Sequence, residues 1–297
     1  RREELTYIPK GKAHGHLRFP HSANQWRPSI LKAKAGPRTS PFLSTLPQNG
    51  IPVVQLHQEG HQGRPQSFRL ESLPRTVLSR VDAAEGATAA LARQEFRSWK
   101  LLQLEPTALR RPCAFRDPPG ISSDGSGLAA TLAALARPTR PDQGPFLRQA
   151  EGAVYARVSN RLAELIEDVR EVSVDSDPKR ELLTVMAAGR DGTSYPARAL
   201  SDGTLRFLAL AVLAEQPSNS EVICLEEPEN GIHPSRIRAM LDLLRSIAVD
   251  TEYEVDASNP LRQLIVNTHS PLFAQEVDRE EALYAYRTPR TRGDGSG

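Results

Sequence analysis

Cysteine is almost missing from this sequence: Cys113 and Cys224 are the only two in 297 residues. That excludes a disulfide framework and a cysteine-built metal cluster. No apolar run approaches the length of about eighteen residues that an apolar helix needs to cross a bilayer. The first residues are polar and lack the apolar core of a secretory leader, so a cytoplasmic protein with no membrane partner is the expectation. Aromatic residues are only 5%, and no basic patch is interleaved with them as in a stacking platform for single strands. No internal repeat occurs. What remains is 39% hydrophobic and 25% charged, ordinary for a globular chain with room for one large α/β domain or two smaller ones.

Charge is balanced overall, at +2, but unevenly spread. Residues through Asp117 carry 19 Lys and Arg against 9 Asp and Glu, and the remainder 19 against 27. The basic part suits nucleic acid or another polyanion, with an ordinary solvated surface as the competing reading. His14 and His16 form a pair without a Cys or carboxylate to complete a metal site.

One stretch, Glu221 to Pro234 (EVICLEEPENGIHP), organises the rest. Val222 to Leu225 is a short apolar run and reads as a strand buried on both faces. It ends in Glu226 and Glu227, and Pro228 blocks continuation of the ladder. Alternation along a strand turns the two carboxylates in different directions, one toward a metal and one toward a reacting water. Asn230-Gly231 marks a turn, and His233-Pro234 leads into a helix. Upstream, Leu200-Ser201-Asp202-Gly203-Thr204 opens an apolar helix. Ser201 or Asp202 serves as its cap, and Gly203 allows close approach of a ligand. Such a helix start favours phosphate. Downstream, Leu264 to Asn267 reads as a second buried strand, followed by Thr268-His269-Ser270-Pro271. In open α/β sheets the C-terminal ends of strands are where ligands bind.

The order of these three motifs resembles the C-terminal half of an ABC-type ATPase head, in particular the stand-alone AAA-type ATPases similar to RecF, SMC and OLD proteins. Ser201-Asp202-Gly203 matches the signature loop, Leu225-Glu226-Glu227-Pro228 the Walker B strand, Glu229 to Pro234 the D-loop, and Thr268-His269-Ser270 the switch histidine. The likeness is specific over residues 180–287. It departs at Glu226, where most ABC proteins have Asp. Trp99, Arg110-Arg111-Pro112 and Asp124-Gly125-Ser126-Gly127-Leu128-Ala129 extend it over most of the chain.

The resemblance implies a mixed α/β fold of the P-loop NTPase type, its sheet flanked by helices, with an inserted helical subdomain. The implied divisions are 1–82, the remainder of a β-rich lobe; 83–170, the helical insertion; 171–287, the ATPase core; and 288–297, a flexible tail. It also implies ATP and Mg²⁺ as cofactors and a homodimer that sandwiches two ATP molecules. Glu226 then holds Mg²⁺ and Glu227 activates the attacking water. His269 senses the γ-phosphate, and Ser201, Asp202 and Gly203 reach the nucleotide of the opposite head. Asn230 and His233 couple the two sites. DNA or an effector protein is the further partner, in DNA repair or defence. One part of the family pattern is absent: no G-x-x-x-x-G-K-[ST] phosphate cradle occurs in the sequence. With Arg at position 1, the expectation is an N-terminal segment preceding this chain; the alternative is a non-catalytic, P-loop-less scaffold or regulatory module. An OLD-type nuclease would need an acidic metal-binding domain after residue 287.

From residue 51 the chain reads as strands 51–56 and 66–71 and an amphipathic helix over 83–102. Glu105–Asp124 is a connector, followed by helices Leu128–Leu135 and Phe146–Asp168. Strands Val172–Ser176, Leu182–Ala188 and Ser194–Ala197 come next, the last two joined by a Gly189–Gly192 turn. After the signature helix come strand 222–225, helix 235–248, strand 263–267 and a final strand near Leu283–Tyr286.

Overall fold

A computed structural model describes residues 2–6, 40–58, 64–137, 146–166, 169–217, 221–256, 258–283 and 285, with backbone only over 146–151. His14, His16 and the tail from Arg287 lie outside the described residues. So does part of the expected strand near Leu283–Tyr286; Leu283 and Ala285, which are described, are not in a strand. In chain order the strands are β1 (Leu43–Gln48), β2 (Ile51–Leu56), β3 (Gln66–Arg69), β4 (Lys100–Leu102), β5 (Cys113–Ala114), β6 (Val169–Asp177), β7 (Leu182–Gly189), β8 (Ser194–Pro196), β9 (Glu221–Glu226) and β10 (Arg262–Asn267). The helices are α1 (Ala87–Ser98), α2 (Pro106–Leu109), α3 (Leu128–Ala136), α4 (Phe146–Leu165), α5 (Asp202–Glu215), α6 (Ile237–Ile247) and α7 (Pro271–Glu276). The result is a mixed α/β architecture of sheets with helices. None of the described helices is long and apolar enough to cross a membrane.

The chain divides into two compact units. The first comprises Arg1–Leu102, Gln216–Leu225 and Arg245–Ile265. In it β1, β2 and β3 form an antiparallel sheet in that order. Asn49 and Gly50 join β1 to β2 with φ of 51° and 78°, the left-handed pair that a two-residue hairpin needs. Leu43, Val54, Leu56, Val77, Val81 and Ala89 close the core beneath. Strand β9 lies between β10 and β4, and β4 runs parallel to it with Leu102 opposite Leu225.

Two expectations are corrected in this unit. The helix predicted over 83–102 stops at Ser98. Trp99 turns to an extended conformation (φ −61°, ψ 130°), and the next three residues are claimed by pairing with β9. Strand β10, expected to be buried on both faces, alternates between exposed residues and ones that are buried (Arg262) or half-buried (Leu264, Val266), because it is the edge of its three-stranded sheet.

The second unit comprises Gln103–Glu215, Glu226–Leu244 and Val266–Gly297. Its sheet runs β5-β7-β6, all antiparallel, with β8 also paired to β7. Helix α5 is buried almost all round, which fits a sequence that is apolar on every side. It packs against α2, α3 and α4. Leu205, Phe207, Leu208, Leu210 and Leu213 are fully buried, each contributing roughly 1.5–3 kcal/mol. That outweighs the ~1 kcal/mol of its cap and makes α5 the fixed element from which the site is built.

Candidate functional site

The described strand β9 ends at Glu226, whose side chain is exposed. Glu227 then enters the left-handed region with φ 43°, so its direction is set by this turn and not by strand alternation. A non-glycine residue there is uncommon and strained. Its N–H donates to the Asn267 carbonyl at 2.8 Å, which ties it to the end of β10. Asn230 Nδ2 donates to Glu227 Oε2 at 2.8 Å, and Asn230 N–H donates to the Glu227 carbonyl at 3.1 Å. The loop is thus closed on itself around one oxygen of Glu227. Gly231 follows at φ 79°, a conformation its lack of a side chain permits.

This loop rests on the start of α5. A Cβ on Gly203 would run into the Gly231 carbonyl and press on Ile232 Cδ1 at 3.1 Å. The close approach predicted for a ligand at Gly203 is therefore made by the chain's own backbone. Arg206 clamps the contact: Nη1 donates to the Asn230 carbonyl at 2.6 Å and Nε to the Leu104 carbonyl at 3.0 Å. Sequence reasoning passed over Arg206, although it is the only charged residue between Asp202 and Glu215 and so stood out in an apolar helix. Ser201 is the cap: its hydroxyl accepts from the Thr204 N–H at 3.2 Å and meets the Thr204 hydroxyl at 2.7 Å. Asp202, exposed in the first turn, is held by Arg110 Nη2 at 2.5 Å, and the same nitrogen donates to the Leu200 carbonyl at 3.0 Å.

On the other side of the loop lies Thr268-His269-Ser270. His269 is exposed two residues beyond the end of β10. Thr268 donates its hydroxyl to Glu229 Oε1, and accepts from the Ser270 N–H at 3.0 Å. Ser270 in turn caps α7, accepting from Phe273 N–H at 3.2 Å. His233 is engaged locally: its Nδ1 accepts from the Ser235 N–H at 3.3 Å and caps the short turn Pro234–Arg236.

The described contacts therefore join Gly203 on α5, the loop from Glu227 to Gly231, and the loop bearing His269; the bonds described for Ser201 and Asp202 go to Thr204 and Arg110. No hydrogen bond is described from Glu226 or His233 to these groups. The Mg²⁺ expected from the sequence would find one exposed carboxylate, Glu226, beside the half-buried Glu227; among the described residues no three or more His, Cys, Asp or Glu converge to hold a metal ion. Magnesium takes only one or two carboxylates and keeps several waters, a requirement that Glu226 and Glu227 have the chemistry to meet. No G-x-x-x-x-G-K-[ST] phosphate cradle occurs in this sequence to stand beside these loops.

Comparison with known proteins gives three results. Among solved structures, the Smc head domain with an extended coiled coil bound to the C-terminal domain of ScpA, derived from Pyrococcus furiosus, shares 16% identity. That match covers 44% of this chain and 32% of that one, with a TM-score of 0.33. The Smc head domain with a coiled coil and joint from Pyrococcus yayanosii shares 14%, covering 44% and 24%, with a TM-score of 0.32. The SmcHead bound to the C-winged helix domain of ScpA shares 13%, covering 77% and 62%, with a TM-score of 0.40. The chain thus spans a third or less of the first two of these proteins, and no residue role is taken from any of them. No curated protein matches the chain. The model of the family described as "AAA domain, putative AbiEii toxin, Type IV TA system" matches residues 113–274, more than half of the sequence and all of the loops just described, and the chain belongs to that AAA-domain family.

Proposed function

We propose that this chain is the signature-bearing part of a magnesium-dependent ATPase head that works as a dimerising switch. The observation that carries the reading is the presentation of Glu227. Its backbone turns it out of the strand, Asn230 engages Oε2, and among the described residues no hydrogen bond takes Oε1, which is then open to a water. A carboxylate anchored by one oxygen and open at the other is suited to orient a water and take its proton. Glu226, exposed at the strand end, suits contact with the water shell of Mg²⁺. When bound, magnesium ATP supplies the phosphoanhydride bond and part of the charge neutralisation. His269 reaches the terminal phosphate from the loop after β10. Ser201 and Asp202, exposed at the α5 start, face the nucleotide of a second copy. Gly203 acts through its backbone by seating that loop on Gly231. Asn230 and His233 lie on the segment that links the two sites. Positioning and electrostatics then carry the catalysis. DNA repair or defence against foreign DNA, and contact with DNA or an effector, rest on family analogy alone.

The second reading, a non-catalytic scaffold that binds a partner protein, draws on one fact: the sequence holds no phosphate cradle. The two separate in one experiment. The chain alone should bind MgATP weakly or not at all by isothermal titration. Joined to a segment that carries G-x-x-x-x-G-K-[ST], it should hydrolyse ATP, and Glu227→Gln should slow turnover by roughly 10²–10⁴ while nucleotide binding persists. Turnover unchanged by Glu227→Gln removes this residue as the base. No turnover in any joined form favours the scaffold.

A further inference from the structure

Besides the backbone bond from Glu227 to Asn267, the Glu227–Asn230 loop and the His269 loop are joined by a buried carboxylate that the reaction scheme does not use. Glu229 is only 8% exposed. Oε1 takes the Thr268 hydroxyl, while Oε2 is buried without a hydrogen-bond partner among the described residues. Burying an unpartnered carboxylate oxygen is costly, so simple packing would be served better by an apolar side chain. On its own loop, the Glu229 carbonyl accepts from the Ile232 N–H at 2.9 Å, next to the Gly231 backbone that abuts Gly203. On the partner loop, the same Thr268 oxygen fixes Ser270, which caps α7 and its buried Phe273. A continuous path therefore runs from the start of α5, through Gly231 and Glu229, to the residue before His269.

We propose that Glu229 is a positioning residue that latches the loop of Glu227 and Asn230 to the loop of His269, so that the two loops open and close as one unit within a single chain. The proposal rests on the reading above for its meaning in ATP hydrolysis, but the latch is a physical property that can be measured without turnover. Neither oxygen of Glu229 needs to touch nucleotide. It acts through Thr268 on where His269 stands, and through its backbone on where Asn230 stands.

Amide hydrogen exchange of the full chain, read on peptides over 227–233 and 268–273, tests it. Thr268→Val changes one loop only. With the latch, it should raise exchange about tenfold in both loops, the worth of one buried hydrogen bond of roughly 1.4 kcal/mol, and leave β7 unchanged. Glu229→Ala should do the same, and the double variant should be no faster than either single one. Glu229→Gln keeps an acceptor for Thr268 and should restore slow exchange in both loops. If Glu229→Ala does not fold, Thr268→Val and Glu229→Gln still decide the matter. Exchange that rises only in the mutated loop, additive effects in the double variant, or failure of Gln to restore the coupling would overturn the latch. In a form that turns over MgATP, Thr268→Val should lower kcat about tenfold and leave KM within about twofold. A wild-type protein that never hydrolyses ATP would refute the ATPase reading, while the exchange data judge the latch by themselves.

Discussion

At the scale of single residues, Glu226 and Glu227 are adjacent and chemically identical, yet the backbone treats them oppositely. Glu226 closes a strand; Glu227 has φ 43°. Glycine in an extended strand costs roughly 0.5–1 kcal/mol, so Glu226→Gly should destabilise by about that amount. In the left-handed region glycine relieves roughly 1–2 kcal/mol of steric cost. Glu227→Gly should therefore be no less stable than the parent, or about 1 kcal/mol more stable, even though it loses the Asn230 contact. Urea unfolding of the two variants measures the difference, and equal losses would show that Glu227 carries no strain. The pair of carboxylates was legible from the sequence because they end an apolar run. The strain was not, since nothing about glutamate announces a positive φ. Likewise Gly203 and Gly231 each announced a backbone need, but their approach to each other depends on two segments meeting in space. Strain at a position that also presents a carboxylate is where function would be expected to override local preference.

At the scale of elements, the three-stranded sheet β10-β9-β4 is held at one end by a single carboxylate. Glu221, the first residue of β9, takes Lys100 Nζ of β4 at 2.7 Å on Oε2 and lies 3.1 Å from Arg262 Nε of β10 on Oε1. The Arg262 side chain is 3% exposed, and its Nη2 donates to the Gln216 carbonyl at 2.9 Å. Burial pushes the Arg262 guanidinium below its usual range, and the charge and hydrogen bonding of Glu221 push it back up. Removing Glu221 takes a carboxylate from beside a buried guanidinium, so Glu221→Ala should cost about 3–5 kcal/mol. Lys100 is 43% exposed, and Lys100→Met should cost less than about 1 kcal/mol. Denaturant midpoints of the two variants check this; similar shifts would mean that Glu221 acts on Lys100 and not on Arg262. The same sheet shows why parts of it were hidden. Trp99 and Leu102 continue a helical spacing, so β4 looked like the last turn of α1, and only pairing with a distant strand makes it extended. By contrast β9, α5 and the turn at Gly189–Gly192 were legible because their signals are local: a β-branched run, an apolar helix behind a Ser cap, and glycines between alternating strands.

At the scale of the whole molecule, the motif order in the sequence was enough to indicate the AAA-domain family, because spacing along the chain survives where folding detail does not. The compact units were less legible, since each is assembled from three separated stretches. The last question at this scale is whether Ser201 acts only as a cap in its own chain or also across a dimer. As a cap alone, Ser201→Ala should cost about 1 kcal/mol and nothing else. Ser201→Arg places a bulky cation at an exposed helix start, against the dipole, and in the proposed dimer it would stand in the path of a second copy. In a form joined to a phosphate-binding segment, it should abolish hydrolysis while its own head still binds nucleotide. Mixing decides the direction of action. Combine a Ser201→Arg chain with a Glu227→Gln chain, each inactive alone. If Ser201 serves its own site, both sites of the mixed dimer carry one lesion and stay silent. If it serves the opposite site, both lesions fall together in one site and the other is intact, so activity should return toward half that of the parent dimer. Silence in mixtures shown by native mass spectrometry to contain the mixed dimer would confine Ser201 to its own chain, where its observed bond is with Thr204.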